Sequence, residues 1–393
     1  MQLNEKQVVR IAGFELNALS LAKVLPEPLE GARIEEAGTL IHDIDGEPLF
    51  RRVPLERQRR SVGYADVAVS DIFAEPLLAI DFDTRWSESA MLRRATAALR
   101  EHERDARFDE TRLVAYSYPK LAVQFLLQGR EVAMLELFTW ARVPPDRGGD
   151  EKEEYGFQRR SLKKHTGDET RRANAESFEK RVAHWERAEL RQIDPARISV
   201  ATLQAVDFRL LLSDTREIHY APRTADHHIC YELRGQQTGV WCVAASVEMI
   251  LNFYRWRYDQ PRIADELDLG TCTNPNGLPY GDEIEVVNTL ERLSANSLDA
   301  DMDATPDWAL FRDEIREHRP LISFIPHHSR TVAGYTEARI SLLGELPYRG
   351  LLVYDPWPPT DCDHPEAGGT ITRWENFRTQ TYRHAFRARL KHV

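Results

Sequence analysis

The sequence predicts an α+β fold, with a cysteine-bearing helix packed on an antiparallel sheet in the C-terminal half and a β-rich α+β unit ahead of it. Three observations carry this. Val243, Val247, Ile250, Leu251 and Tyr254 recur at helical spacing, and Ala244 and Ala245 widen the apolar face until little of that helix can meet water. From Leu321 onward the chain alternates short apolar runs with turns: Leu321–Ile325, Thr331–Tyr335, Ile340–Leu343, Leu351–Tyr354 and Tyr382–Arg389. Before residue 145 the same pattern recurs around the hairpin signal Asp45-Gly46 and the turn Gln128-Gly129.

In chain order, residues 1–145 form the β-rich unit. Its strands are expected at Thr39–Ile44, Pro48–Val53, Ala65–Val69, Leu77–Phe82, Leu113–Tyr118, Leu121–Leu127 and Val132–Trp140. Ser87–Glu103 is its helix, with Leu92, Ala95 and Leu99 as the apolar stripe. No phosphate loop, metal spacing or nucleophile motif occurs there. Pro144-Pro145 and Gly148-Gly149 end it. Residues 146–195 read as a charged, partly helical linker, with Phe178, Val182 and Trp185 at helical spacing. The last unit is 196–393. Ile198–Leu203, Phe208–Leu212 and Glu217–Tyr220 lead into it as strands, and Asp282–Leu293 and Pro306–His318 (capped by Thr305) are its later helices.

Composition narrows the function. The chain has 393 residues and a formal net charge of −11, which argues against nucleic acid as a partner. Met1-Gln2-Leu3-Asn4-Glu5-Lys6 contains no apolar signal region, and no apolar run approaches a membrane span. Four scattered cysteines, Cys230, Cys242, Cys272 and Cys362, are expected as reduced thiols in a cytoplasmic protein, with export lacking a cleaved signal left open. His227-His228-x-Cys230 and Cys362-x-His364 invite a zinc reading, but neither half holds a C-x2-C or H-x3-H pair, so no metal is expected.

The chemistry centres on Gln236–Tyr254, which runs from a polar turn through Trp241 and Cys242 into the helix. A thiol at a helix start feels the positive end of the dipole, and beside a histidine its pKa can fall from about 8.5 to roughly 3.5–7.5. Cys242 is therefore a candidate nucleophile, against the plain alternative of a small core residue. Gln236 lies six residues before it and can supply an amide to a developing oxyanion. His328 and Asp355 follow downstream as base and orienter. His327 and Gln237 are the competing neighbours, and Trp357 either shields the His–Asp bond from water or simply packs after Pro356.

Q-x5-C-x-A-A, H-S-R-T-V-A-G-Y and V-Y-D-P-W, in that order, resemble papain-like cysteine peptidases of the short bacterial type, which include bacteriocin leader peptidases and effector proteases. The resemblance covers the chain from about Tyr231 onward. It implies a helical half facing a β half, with Cys242 and His328 on opposite sides of the cleft. It also selects His328, six residues before Gly334, and Gln236 by its separation from the cysteine. Relatives often carry an aromatic residue directly after the cysteine, where this chain has Val243. The implied activity is peptide hydrolysis by Cys242, His328, Asp355 and Gln236, with no cofactor and with a peptide or protein as partner. Transglutaminase or deamidase chemistry on the same residues is one alternative, and a catalytically inert binding module is another. The N-terminal unit is expected either to recruit substrate, the favoured role, or to cover the cleft.

Overall fold

The helix Cys242–Phe253 forms because its residues have apolar neighbours on nearly every side. One face packs with Ile263, Leu290, Ile322, Phe324 and Phe386, and the other meets Trp308, Val332, Leu351 and Val353. The surroundings of this helix come from a computed structural model that describes all residues except 26–28, 35, 82–85, 146–153, 157–158, 219–230, 342–344, 365–367 and 392–393. His227, His228, Cys230 and the ends of the expected strands at Phe82, Tyr220 and Leu343 lie outside the described residues.

Among the described residues, fourteen strands make one sheet. From one edge the order is Leu298–Asp303, His384–Leu390, Leu321–Ile325, His328–Ser341, Glu345–Asp355 and Thr370–Asn376. It continues through Leu77–Asp81, Arg60–Ala68, Pro48–Arg57, Thr39–Asp43, Glu110–Ser117, Lys120–Leu127 and Arg130–Glu136. Arg209–Glu217 adds to His328–Ser341 off this path. Strands from residues 1–145 and from 196–393 thus share hydrogen bonds, and they meet where Thr372 pairs with Asp81 and Trp374 with Ile80. Pairing is antiparallel except between Thr39–Asp43 and Glu110–Ser117, which run parallel. Helices beside an antiparallel sheet make this an α+β fold.

Two elements depart from the sequence pattern. Ile198–Leu203 was expected as a strand, but Val200–Ala205 is a helix. The Ser199 hydroxyl accepts the Thr202 N–H and starts the turn, a local bond that outweighs the β-branched composition. Glu5–Leu21 is a helix that the periodicity does not announce, since buried residues surround much of its circumference, including Arg10 and Glu15. Glu15 accepts from Arg181 at 2.7 Å and from Trp185 Nε1 at 2.6 Å. These bonds fasten the charged helix Asp168–Trp185, with Phe178, Val182 and Trp185 inward, to the N-terminal core. At Trp308–Arg316 the cap is Asp307 rather than Thr305, its carboxylate accepting the Leu310 N–H.

The expectation of reduced thiols is corrected by a Cys272–Cys362 disulfide. The two cysteines are 90 residues apart in sequence, so spacing gave no sign of the pairing. Both side chains pack against the core around the cysteine-bearing helix. Among the described residues no helix is long and apolar enough to cross a membrane.

Candidate active site

Cys242 opens its helix, no side chain caps that helix start, and the thiol is fully buried. The backbone N–H groups of Val243 and Ser329 favour the thiolate. His328 opens the strand His328–Ser341, and Asp355 closes the strand Glu345–Asp355. Those strands are neighbours, with Thr331 opposite Tyr354. The pairing brings the imidazole and carboxylate together across 27 residues of sequence, and His328 Nε2 lies 2.6 Å from Asp355 Oδ1. A carboxylate partner fixes Nε2 as the protonated nitrogen. His328 Nδ1 is buried and has no hydrogen-bond partner.

Two serines tie the elements together. Ser246, one turn into the helix, donates to Cys242 O at 2.9 Å, and Ser329 donates to the Ser246 hydroxyl at 2.8 Å. The residue after His328 is thereby pinned to the helix that carries Cys242. Gln236 is also buried. Its N–H donates to Pro356 O at 3.0 Å and its carbonyl accepts from Thr360 N at 2.8 Å, which fixes its loop to the segment beyond Asp355. The Gln236 side-chain amide donates to Thr238 O at 2.7 Å. Gln260 braces the same loop, accepting from Gln237 N at 2.8 Å and donating to Gly235 O at 2.8 Å.

Asp355 also accepts the Trp357 N–H at 2.8 Å. Burial works to raise the Asp355 pKa, but the His328 interaction, Arg330 and the Trp357 N–H together hold it below the usual carboxylate range. Burial lowers His328 more than Asp355 raises it, so the resting imidazole is neutral and Nδ1 is a proton acceptor. The thiol departs from the sequence expectation. Burial pushes the Cys242 pKa up to about 11, which outweighs the helix start and the nearby cation. Both groups therefore rest neutral, Cys242 as thiol and His328 as imidazole.

That cation was not foreseen. Lys120, at the start of Lys120–Leu127, is fully buried, its charge acts on the Cys242 thiol, and its ammonium lies over the Trp357 ring at 4.8 Å. Burial lowers its pKa against the opposing pull of Cys242, Asp355 and Glu136. Glu136 accepts the Trp357 indole N–H at 3.2 Å. Trp357 therefore bonds Asp355 through its backbone N–H and the N-terminal half through its indole. Lys120 follows Tyr118-Pro119 in an ordinary hairpin turn, and Glu136 ends an ordinary strand, so neither residue type nor spacing pointed to this site. His327, the competing base, is engaged elsewhere: its ring stacks on Tyr280, its Nδ1 lies 3.2 Å from Glu154 O, and burial lowers its pKa to about 4.

A raised thiol pKa sets a pH dependence with a definite sign. With a pKa of about 11, the thiolate fraction at pH 7.5 is roughly 10²–10³-fold below that of a free cysteine near 8.5. Iodoacetamide should alkylate Cys242 of the folded chain that much more slowly than a cysteine peptide, with the rate climbing about tenfold per pH unit toward pH 11. A rate that levels off below pH 8 would mean a resting thiolate.

Residues 228–382 match the model of the Peptidase_C39 like family. Among solved structures, the peptidase domain of Streptococcus ComA, described as a bi-functional ABC transporter involved in a quorum-sensing pathway, is similar at 14% identity. That match covers 41% of this chain and 99% of that one, with a TM-score of 0.27. No curated protein matches this chain. The stretch that holds Cys242, His328 and Asp355 is thus similar to the Peptidase_C39 like family over residues 228–382.

Proposed function

We propose that this protein is a thiol peptidase in which Cys242 is the nucleophile, His328 the base, Asp355 its orienter and Gln236 an oxyanion donor. The observation that carries the reading is the His328–Asp355 bond, with Nε2 spent on the carboxylate and Nδ1 left as an unpartnered acceptor. His328 Nδ1 takes the proton from Cys242, and the sulfur attacks a peptide carbonyl. The oxyanion forms against the uncapped helix start, with the Cys242 N–H and the Gln236 amide as donors. The imidazolium then protonates the leaving amine, and water, deprotonated by the same imidazole, releases the acid and the free thiol. No step calls on a cofactor.

The alternative of transglutaminase or deamidase chemistry uses the same residues and differs in product, Gln-to-Glu conversion or amide exchange in place of new termini. The Cys272–Cys362 bond weighs toward an oxidising compartment.

Gln236 tests the oxyanion assignment. Its amide now donates to Thr238 O and must turn to serve an oxyanion. Gln236→Ala should lower kcat by about 10²–10³-fold, the usual cost of one such donor, with little change in KM. Gln237→Ala should change kcat much less. Measured turnover in the opposite order would assign the donor to Gln237.

A further inference from the structure

One short segment of the chain runs alongside the residue that precedes His328. Glu154–Tyr155 pairs antiparallel with Leu278–Pro279, Tyr155 opposite Leu278 and Glu154 opposite Pro279. Gly156 N–H donates to His327 O at 3.1 Å, the carbonyl of the residue directly before His328. His327 Nδ1 lies 3.2 Å from Glu154 O. The Gly156 carbonyl accepts from Lys120 Nζ at 2.7 Å, and that ammonium is the cation whose charge acts on the Cys242 thiol. The backbone is thus held by three successive polar contacts that end next to the candidate nucleophile.

The side chains are accommodated as well. Tyr155 is fully buried, its ring 4.2 Å from Phe324 and 4.6 Å from Tyr280 by centroids, and its hydroxyl donates to Glu283 at 3.0 Å. An aromatic slot with a carboxylate at its end suits a phenol. Two glycines permit the approach. A Cβ at Gly277 would stand 2.5 Å from Tyr155 O, so only glycine lets the strand lie against that wall. A Cβ at Gly156 would meet Val240 at 3.0 Å, two residues before Cys242, so the position beside the nucleophile is narrow.

We propose that Glu154–Gly156 is an internal ligand of the peptide-binding cleft, and that the cleft takes an extended peptide with an aromatic residue followed by glycine. The inference rests on the peptidase reading for the identity of the cleft. Substrate competes with the chain's own strand, and Lys120 holds the Gly156 carbonyl by its charge. The buried, protonated Cys242 is the resting state of this covered site.

The test uses the full-length protein. In amide hydrogen exchange the Gly156 N–H should be protected by at least about 10²-fold. Exchange at the rate of a free peptide would overturn the proposal whether or not any variant folds. Tyr155→Ala should empty the slot and raise the rate at which iodoacetamide alkylates Cys242 by at least about tenfold, while Tyr155→Phe, which keeps the ring, should stay near wild type. Equal rates for Tyr155→Ala and wild type would also overturn it. In Tyr155→Ala, acetyl-Glu-Glu-Tyr-Gly-amide should then slow alkylation, and the analogue with Ala for Tyr should do so at least about tenfold less well. Equal protection by the two peptides would refute the aromatic preference. None of these readouts requires hydrolysis, so success here with no peptide ever cleaved would retain the internal ligand and reject the peptidase reading.

Discussion

Replacing Cys242 by alanine is expected to lower kcat by at least about 10⁴-fold while the protein remains folded. The size follows from the role, because without the sulfur no acyl-enzyme forms and the oxyanion donors alone leave only residual catalysis. The fold survives because the change removes one atom from a site surrounded by Val243, Ser329 and the helix backbone, a cost of about 1 kcal/mol. The check is turnover of a cleavable peptide alongside a thermal melt. Retained turnover by a folded Cys242→Ala protein would exclude Cys242 as nucleophile.

Asp355→Asn carries the second large effect. The carboxylate accepts His328 Nε2–H at 2.6 Å and Trp357 N–H at 2.8 Å. An asparagine amide can present its NH2 to the ring and hold the wrong tautomer, with the proton on Nδ1. Loss of about 10⁴-fold in kcat is expected, with KM nearly unchanged. Asp355→Glu should not restore the rate, since the Trp357 N–H and the His328 ring fix the carboxylate from two sides. If Asp355→Asn keeps kcat within tenfold of wild type, His328 is oriented by something else.

How much was legible in the sequence follows from the range of each interaction. The cysteine-bearing helix, the hairpin strands and the pairing of His328 with Asp355 all leave local marks: periodicity, turn residues, and strands in a fixed order. The helix Glu5–Leu21 left no stripe because it is buried around much of its circumference, and Val200–Ala205 was misread because one serine cap decided it. The largest revision concerns Cys242. A helix start beside a histidine predicts a thiolate, but complete burial reverses the sign. Burial is a tertiary property, and the cation that acts on the thiol, Lys120, lies 122 positions upstream in a residue type that carries no signal of its own. The two roles weighed for the N-terminal half, recruitment and coverage, separate at the same place: coverage requires the strand Glu154–Tyr155 to stay paired with Leu278–Pro279 until substrate displaces it.

The central claim, that this cleft hydrolyses peptide bonds through Cys242, is tested most directly with a peptide library read by mass spectrometry. The full-length protein and its Tyr155→Ala form would be incubated with the library, each beside a Cys242→Ala counterpart. The account predicts new N and C termini from the Tyr155→Ala form, fewer from wild type, and none when Cys242 is alanine. Intact peptides in every sample, or a gain of about 1 Da at glutamine without cleavage, would contradict it.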